Sequence, residues 1–195
     1  MEGTKQVLYD ETRKNFCAFL DARGSDSSGA AEGAGEPPPF CYWWGPTNTH
    51  RTWEQGSGKA LWGIEPDDLK GRMPAFMPDT HTVREDCADY LGECQAVDGG
   101  LGVILAELEA RGELENTIIV SSGDHGIPGM PRAKCNLYDI GCEVALAVRW
   151  PGVVKPGTIV EDFVNILDLA PTFCEVRAAS SCLSTSAVSD MTRLS

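Results

Sequence analysis

The stretch Thr117-Ile118-Ile119-Val120-Ser121-Ser122-Gly123-Asp124-His125-Gly126 decides how this chain is read. β-Branched residues in succession, followed by small turn-forming ones, predict a short buried strand over residues 117–120. At its exit a carboxylate and an imidazole stand side by side between two glycines, which permit tight turns and close approach of a ligand to the backbone. Upstream the period is helical: Val83, Cys87, Tyr90, Leu91, Cys94, Val97, Leu101, Ile104, Leu105 and Leu108 recur at steps of three or four. Thr80 or Thr82 is available as its cap and Gly112 as its stop. Gly99, Gly100 and Gly102 either weaken that helix by roughly 1 kcal/mol each or let a neighbour pack closely.

Further out, the aromatic run at 40–44 predicts a buried strand halted by Gly45-Pro46, and residues 143–150 predict another, closed by Pro151-Gly152. Residues 48–78 keep no period and read as an excursion from the core. A short strand at 158–160 and a helix over 166–176, with Pro171 early in it, complete the series. Strand, long helix, strand, loop, strand, helix is the alternation of an α/β domain with a mostly parallel sheet. In such sheets ligands collect beyond the carboxyl ends of strands. That rule points to residues 45–51 and to Asp124-His125.

The ends read differently. Residues 1–22 carry a helical pattern too brief to rely on, and the Gly, Ser and Pro composition from Arg23 onward predicts a linker, so 1–38 is expected to be poorly ordered. Residues 39–176 form the expected domain, and 177–195 a loose polar tail. The 195 residues have 42% hydrophobic and 23% charged content, an ordinary globular composition. Sixteen basic against 29 acidic residues leave a charge of −13, which disfavours nucleic-acid partners, and no apolar run reaches membrane-spanning length. The eight cysteines, at 17, 41, 87, 94, 135, 142, 174 and 182, include no Cys-x-x-Cys pair and no dense disulfide spacing. The first ten residues lack a basic segment followed by an apolar one, so no signal peptide is read there.

Asp124 suits a hard cation such as calcium or magnesium, while the adjacent His125 points toward zinc or manganese; a turn-capping Asp beside an exposed His is the plain alternative. His50, with Arg51 beside it in the loop after the aromatic run, can donate a proton while Arg51 binds an anion. Lys134, nine residues beyond His125, can neutralise charge on a transferring sulfuryl or phosphoryl group. For each of these, solvated surface is the competing reading. Cys87 and Cys94 lie on the apolar face of the long helix and read as small packing residues.

The order of these signals carries more than any one of them. Gly45-Pro46 followed by His50-Arg51, a helix with Asp89-Tyr90-Leu91 and Asp98, Gly123-Asp124-His125-Gly126, Arg132-Ala133-Lys134 with Leu137-Tyr138-Asp139, Arg149-Trp150-Pro151-Gly152 and Asp168-Leu169-Ala170-Pro171-Thr172 together resemble the later half of a sulfatase catalytic domain. Gly45-Pro46-Thr47-Asn48 and Arg132-Ala133-Lys134 are most similar to the heparan N-sulfatase branch. The resemblance implies an incomplete three-layer α/β/α fold of the alkaline-phosphatase type, acting on sulfate esters or sulfamates of sulfated sugars. It implies Asp124 and His125 as two ligands of a Ca2+ ion, a half-site here. Lys134 becomes the lysine that contacts sulfate and His50 the histidine that assists the leaving group. The family is usually secreted, periplasmic or lysosomal.

The family's nucleophile is a formylglycine made from the cysteine of a Cys-x-(Pro or Ala)-x-Arg signature. Four residues beyond the eight cysteines stand Asp21, Gly45, Leu91, Asp98, Asp139, Leu146, Ala178 and Ser186, none of them arginine. The family's N-terminal Asp-Asp metal pair, which would follow its first strand, is also missing. The expectation is therefore a sulfatase relative that is inactive as this chain. The alternatives are a catalytically dead module that binds sulfated glycans, and a phosphate-ester hydrolase of the same superfold, for which the chain shows neither the Ser or Thr nucleophile nor the additional metal ligands.

Overall fold

The computed structural model describes residues 2–25 and 39–181. Its N-terminal helix, α1 (Glu2–Ser25), is 24 residues long where the sequence predicts a brief and poorly ordered segment. The reason lies in one stripe: Thr12, Phe16 and Leu20, four residues apart, are all buried. They pack on the later half of a 30-residue helix, so α1 draws its stability from a partner about 90 residues away. The rest of the predicted linker and the tail beyond 181 lie outside the described residues.

After α1 come α2 (Ser57–Trp62) and α3 (His81–Ala110), with a short 3-10 turn between them. The sequence places α3 well: Thr80 Oγ1 accepts from the Val83 amide at its start, and Gly112, at φ 71°, follows its end. At about 1.5 Å per residue it is a spine of about 45 Å. Ile104 and Leu108 near its C-terminus join Phe16 and Leu20 of α1 in one core, with Phe40, Tyr42 and Trp44 packed against them. Cys87 and Tyr90 near its N-terminus border a second core of Met77, Ile127, Met130 and Ala133. α1 and α3 run in the same direction, tied by Arg13–Glu107, Arg111–Asp21 and Arg23–Glu113 ion pairs. Gly99 and Gly100 serve close packing: a Cβ on Gly99 would fall 2.2 Å from the Tyr9 hydroxyl, and one on Gly100 2.7 Å from the Trp44 ring.

The aromatic run at 40–44 is not a strand. It alternates as a strand would, with Trp43 exposed between partly buried Tyr42 and Trp44, yet among the described residues it has no ladder partner. Its inward rings pack on helices instead: Tyr42 lies 4.9 Å from Phe16 and 4.8 Å from Phe19 between centroids.

The sheet departs from the predicted parallel order. β1 (Ile119–Ser122) pairs antiparallel with β2 (Leu146–Arg149), Ile119 facing Arg149 and Ser122 facing Leu146. Between them lies only α4 (Asp139–Cys142), four residues long, and the connecting loop folds back at the carboxyl end of β1. The chain therefore enters β2 at the end where it left β1, whereas a parallel neighbour needs a crossover that returns to the other end. Residues 158–160 form no strand. A 3-10 turn, Ile166–Asp168, opened by a capping box between Asn165 and Asp168, leads into α5 (Leu169–Ser181), which runs past the predicted end at 176. Among the described residues no helix is long and apolar enough to cross a membrane.

Candidate functional site

β1 delivers its exit loop to the surface, where Asp124 is exposed and His125 is one-third exposed. Backbone contacts hold the loop. Gly126 donates to the Gly141 carbonyl at 3.2 Å, and a Cβ on Gly126 would overlap the Ile140 carbonyl oxygen at 1.8 Å. Glycine is needed here for the approach of the chain to itself. His125 Nδ1 lies 2.9 Å from the Gly126 carbonyl, which can only accept, so in the neutral ring Nδ1 carries the proton and Nε2 is the lone-pair nitrogen. That Nε2 stands 3.3 Å from Asp124 Oδ2. Two donor atoms at about this separation are spaced as neighbours around one cation with bonds of about 2.3–2.6 Å. Among the described residues no group of three or more His, Cys, Asp or Glu side chains converges to hold a metal, and Asp124 and His125 are a pair of donors only.

Backbone and side-chain hydrogen bonds tie Lys134 and Arg51 to the same loop, while His50 makes no hydrogen bond to it among the described residues. The Lys134 amide donates to the Ile127 carbonyl at 3.3 Å, which returns Lys134 to within two residues of His125. Arg51 Nε donates to the Pro128 carbonyl at 3.2 Å, which brings the 47–52 loop against the same segment. Beside it, His50 is exposed, with Nδ1 2.5 Å from the Arg51 carbonyl, an arrangement that assigns the proton to Nδ1. Among the described residues Lys134 forms no ion pair.

Arg51 is paired within the structure. Its guanidinium forks onto Asp86 of α3, Nη1 to Oδ1 at 3.0 Å and Nη2 to Oδ2 at 2.7 Å, and lies 4.2 Å from the centroid of Trp53. Trp53 Nε1 donates to the same carboxylate at 2.8 Å. With both terminal nitrogens on Asp86, Arg51 is a strut between loop and helix. Burial favours the neutral acid of Asp86, but the hydrogen bonds from Arg51 and Trp53 outweigh it and hold the carboxyl below its ordinary range. A cleft of about 480 Å³ opens beside this strut, lined by Arg51, Trp53, Met77, Asp86 and Met130 among others, and it does not include Asp124, His125 or Lys134. Asp124, His125 and Lys134 thus lie outside this cleft.

Two carboxylates that organise this region carry no sequence signal for that packing role, Asp89 figuring there only in the Asp89-Tyr90-Leu91 motif. Asp86 and Asp89 are one helical turn apart on α3, within a period read only for its apolar members. Asp89, 2% exposed, accepts from the amides of Gly56 and Gly58 at 2.9 and 2.8 Å, capping α2 from outside. Their spacing of three on the face toward the Gly-rich 56–58 turn is the one cue available. The cysteines of α3 behave as packing residues: burial pushes the thiols of Cys87 and Cys94 up, and it raises the Tyr90 hydroxyl to about 12, away from reactive thiolate chemistry.

A family model described as Sulfatase matches residues 35–176. The chain belongs to the sulfatase family. This sulfatase chain is 36% identical over 110 residues to human N-sulphoglucosamine sulphohydrolase, a match over 56% of this chain and 22% of that protein. It is 34% identical over 109 residues to an ulvan-active sulfatase of Formosa agariphila, covering 56% of this chain and 18% of the relative. Over 133 residues it is 29% identical to an N-acetylglucosamine-6-O-sulfatase of Bacteroides thetaiotaomicron, covering 67% and 23%. The sulfatase chain thus spans about a fifth of the length of these curated relatives. No solved structure gives a significant match. Membership implies an α/β fold of the alkaline-phosphatase type, and the helix-rich architecture with one strand pair is consistent with part of such a domain.

Proposed function

We propose that this chain carries part of a sulfatase active site for sulfate esters or sulfamates of sulfated sugars, with heparan-type glucosamine sulfates first among them. The observation that supports it most is the convergence of Asp124 Oδ2 and His125 Nε2 at 3.3 Å on the loop to which Lys134 is hydrogen-bonded. Asp124 and His125 would hold a calcium ion, which when bound draws electron density from a sulfate oxygen. The Gly126 carbonyl orients His125 so that its lone pair faces the Asp124 carboxylate. Lys134 offers a positive charge to the sulfate group, and His50, its Nδ1–H on the Arg51 carbonyl, would give the leaving group the second proton that Nε2 carries in the imidazolium form. Within a complete domain these groups belong to one end of a three-layer α/β/α sheet, and residues 39–176 are its contribution from this chain.

The 195 residues contain no Cys-x-(Pro or Ala)-x-Arg signature, so no formylglycine step is derived for them. That feature favours binding without turnover for the chain by itself. Purified protein is expected to release no measurable 4-nitrophenol from 4-nitrophenyl sulfate. Calorimetric titration with calcium is expected to show weak binding that Asp124→Ala abolishes. Turnover lost on Asp124→Ala would overturn the inactivity, and calcium binding unchanged by Asp124→Ala would remove the metal assignment.

A further inference from the structure

A molecule of charge −13 that meets a sulfated sugar needs local cations, and most of its described arginines are already committed. Arg13, Arg23, Arg51, Arg84, Arg111 and Arg149 each meet a carboxylate. Arg132 does not. Among the described residues its guanidinium makes no hydrogen bond and no ion pair, and its Nε is buried without a partner. Two aromatic rings hold it instead: Cζ lies 4.7 Å from the centroid of Phe76 and 4.3 Å from that of Tyr138. Rings attract the cation through their faces but neither neutralise it nor occupy its in-plane N–H donors. Both rings reach the surface, at 37% and 51% exposure, so the cage is open to solvent.

The backbone adds a second observation. Arg132 sits at φ 62° and Cys135 at φ 69°, in the left-handed region that glycine normally occupies. Each is the third residue of a turn, closed by Ala133 N to Met130 O and by Asn136 N to Ala133 O. Strained turns of this kind, on both sides of Lys134, persist where surrounding structure over-determines them, and such positions concentrate at ligand-binding loops.

We infer that Arg132 is an oxyanion-binding residue, its planar donors presented by the Phe76–Tyr138 cage to a second sulfate or a carboxylate of the sugar that Lys134 contacts. The inference rests on the proposed function and adds a specificity element to it: an anionic group beside the one hydrolysed. A guanidinium suits such a group because its fork matches two oxygens of sulfate or carboxylate.

The test uses the full 195-residue chain with two probes, sodium sulfate and a disulfated glucosamine disaccharide. Arginine modification by a dicarbonyl reagent and lysine acylation are followed peptide by peptide in a mass spectrometer, with exposed Arg72 as the internal control. The disaccharide is expected to slow modification of Arg132 at least fivefold relative to Arg72. Equal protection by sulfate alone still supports oxyanion binding and assigns it to a free anion; protection by the disaccharide only assigns it to the sugar. Arg132→Lys, which keeps charge without the fork, is expected to bind the disaccharide about tenfold more weakly, and Arg132→Gln more weakly again. Should a variant fail to fold, the footprint on the unaltered chain decides. Protection of Lys134 without Arg132 overturns the inference and leaves the proposed function standing, whereas protection of neither removes both.

Discussion

At the residue scale the most informative contact is Asp86, whose carboxylate receives Arg51 and Trp53 and so joins the loop before α2 to α3. Asp86→Asn keeps the shape but loses the charge that the fork meets, and is expected to cost about 1–3 kcal/mol, read by urea unfolding at pH 7. The pH dependence has a definite sign. The folded pKa of Asp86 lies below its unfolded value, so this stabilisation is full above the unfolded carboxylate range of about 4 and is lost as pH falls through the folded pKa. The difference between unaltered protein and Asp86→Asn should therefore shrink below about pH 4; a difference that persists at pH 2 would contradict the ion-pair account. Arg51 was legible in the sequence as a cation in a loop, but its partner was not, because Asp86 lies 35 residues away among helical residues and only folding brings the two together.

At the element scale, α3 was readable from its period, cap and terminal glycine, since all three are local. α2 was not: six residues between left-handed glycines show no period, and a helix that short does not persist alone in water. It exists through Asp89, which satisfies two amides at its N-terminus, and through Gly58, where a Cβ would overlap the Ala88 carbonyl oxygen at 2.1 Å. Asp89→Ala leaves those amides without a partner and is expected to cost about 1–3 kcal/mol and speed hydrogen exchange at Gly56 and Gly58. Unchanged exchange at both glycines would show that α2 is held by other means. α1 follows the same logic with larger contacts. Leu108→Ala, in the core that α1 and α3 share, is expected to destabilise by about 2–5 kcal/mol in thermal or urea unfolding, and to release α1 first in exchange measurements.

At the scale of the whole molecule, the segment after β2 stands apart from both cores: Ile159, Phe163 and Leu167 are 84%, 110% and 78% exposed. Side chains already in water contribute little burial, so replacing all three by Ser is expected to change stability by under about 0.5 kcal/mol per site while reducing binding of the dye ANS. A cooperative loss of stability would mean that these residues are covered in solution. The amino-acid sequence alone determined the α/β class, a long helix between a Thr80 or Thr82 cap and Gly112, a strand ahead of Asp124-His125, although at 119–122 in place of 117–120, and the kinship with sulfatases, because local periodicity and ordered motifs are written along the chain. Tertiary structure decided that the strands run antiparallel, that the aromatic run packs on helices without joining a sheet, that Arg51 is a strut and that Arg132 is caged by rings. Those outcomes depend on which distant group reaches a side chain first, and burial, charge pairing and ring contact are properties of the assembled neighbourhood.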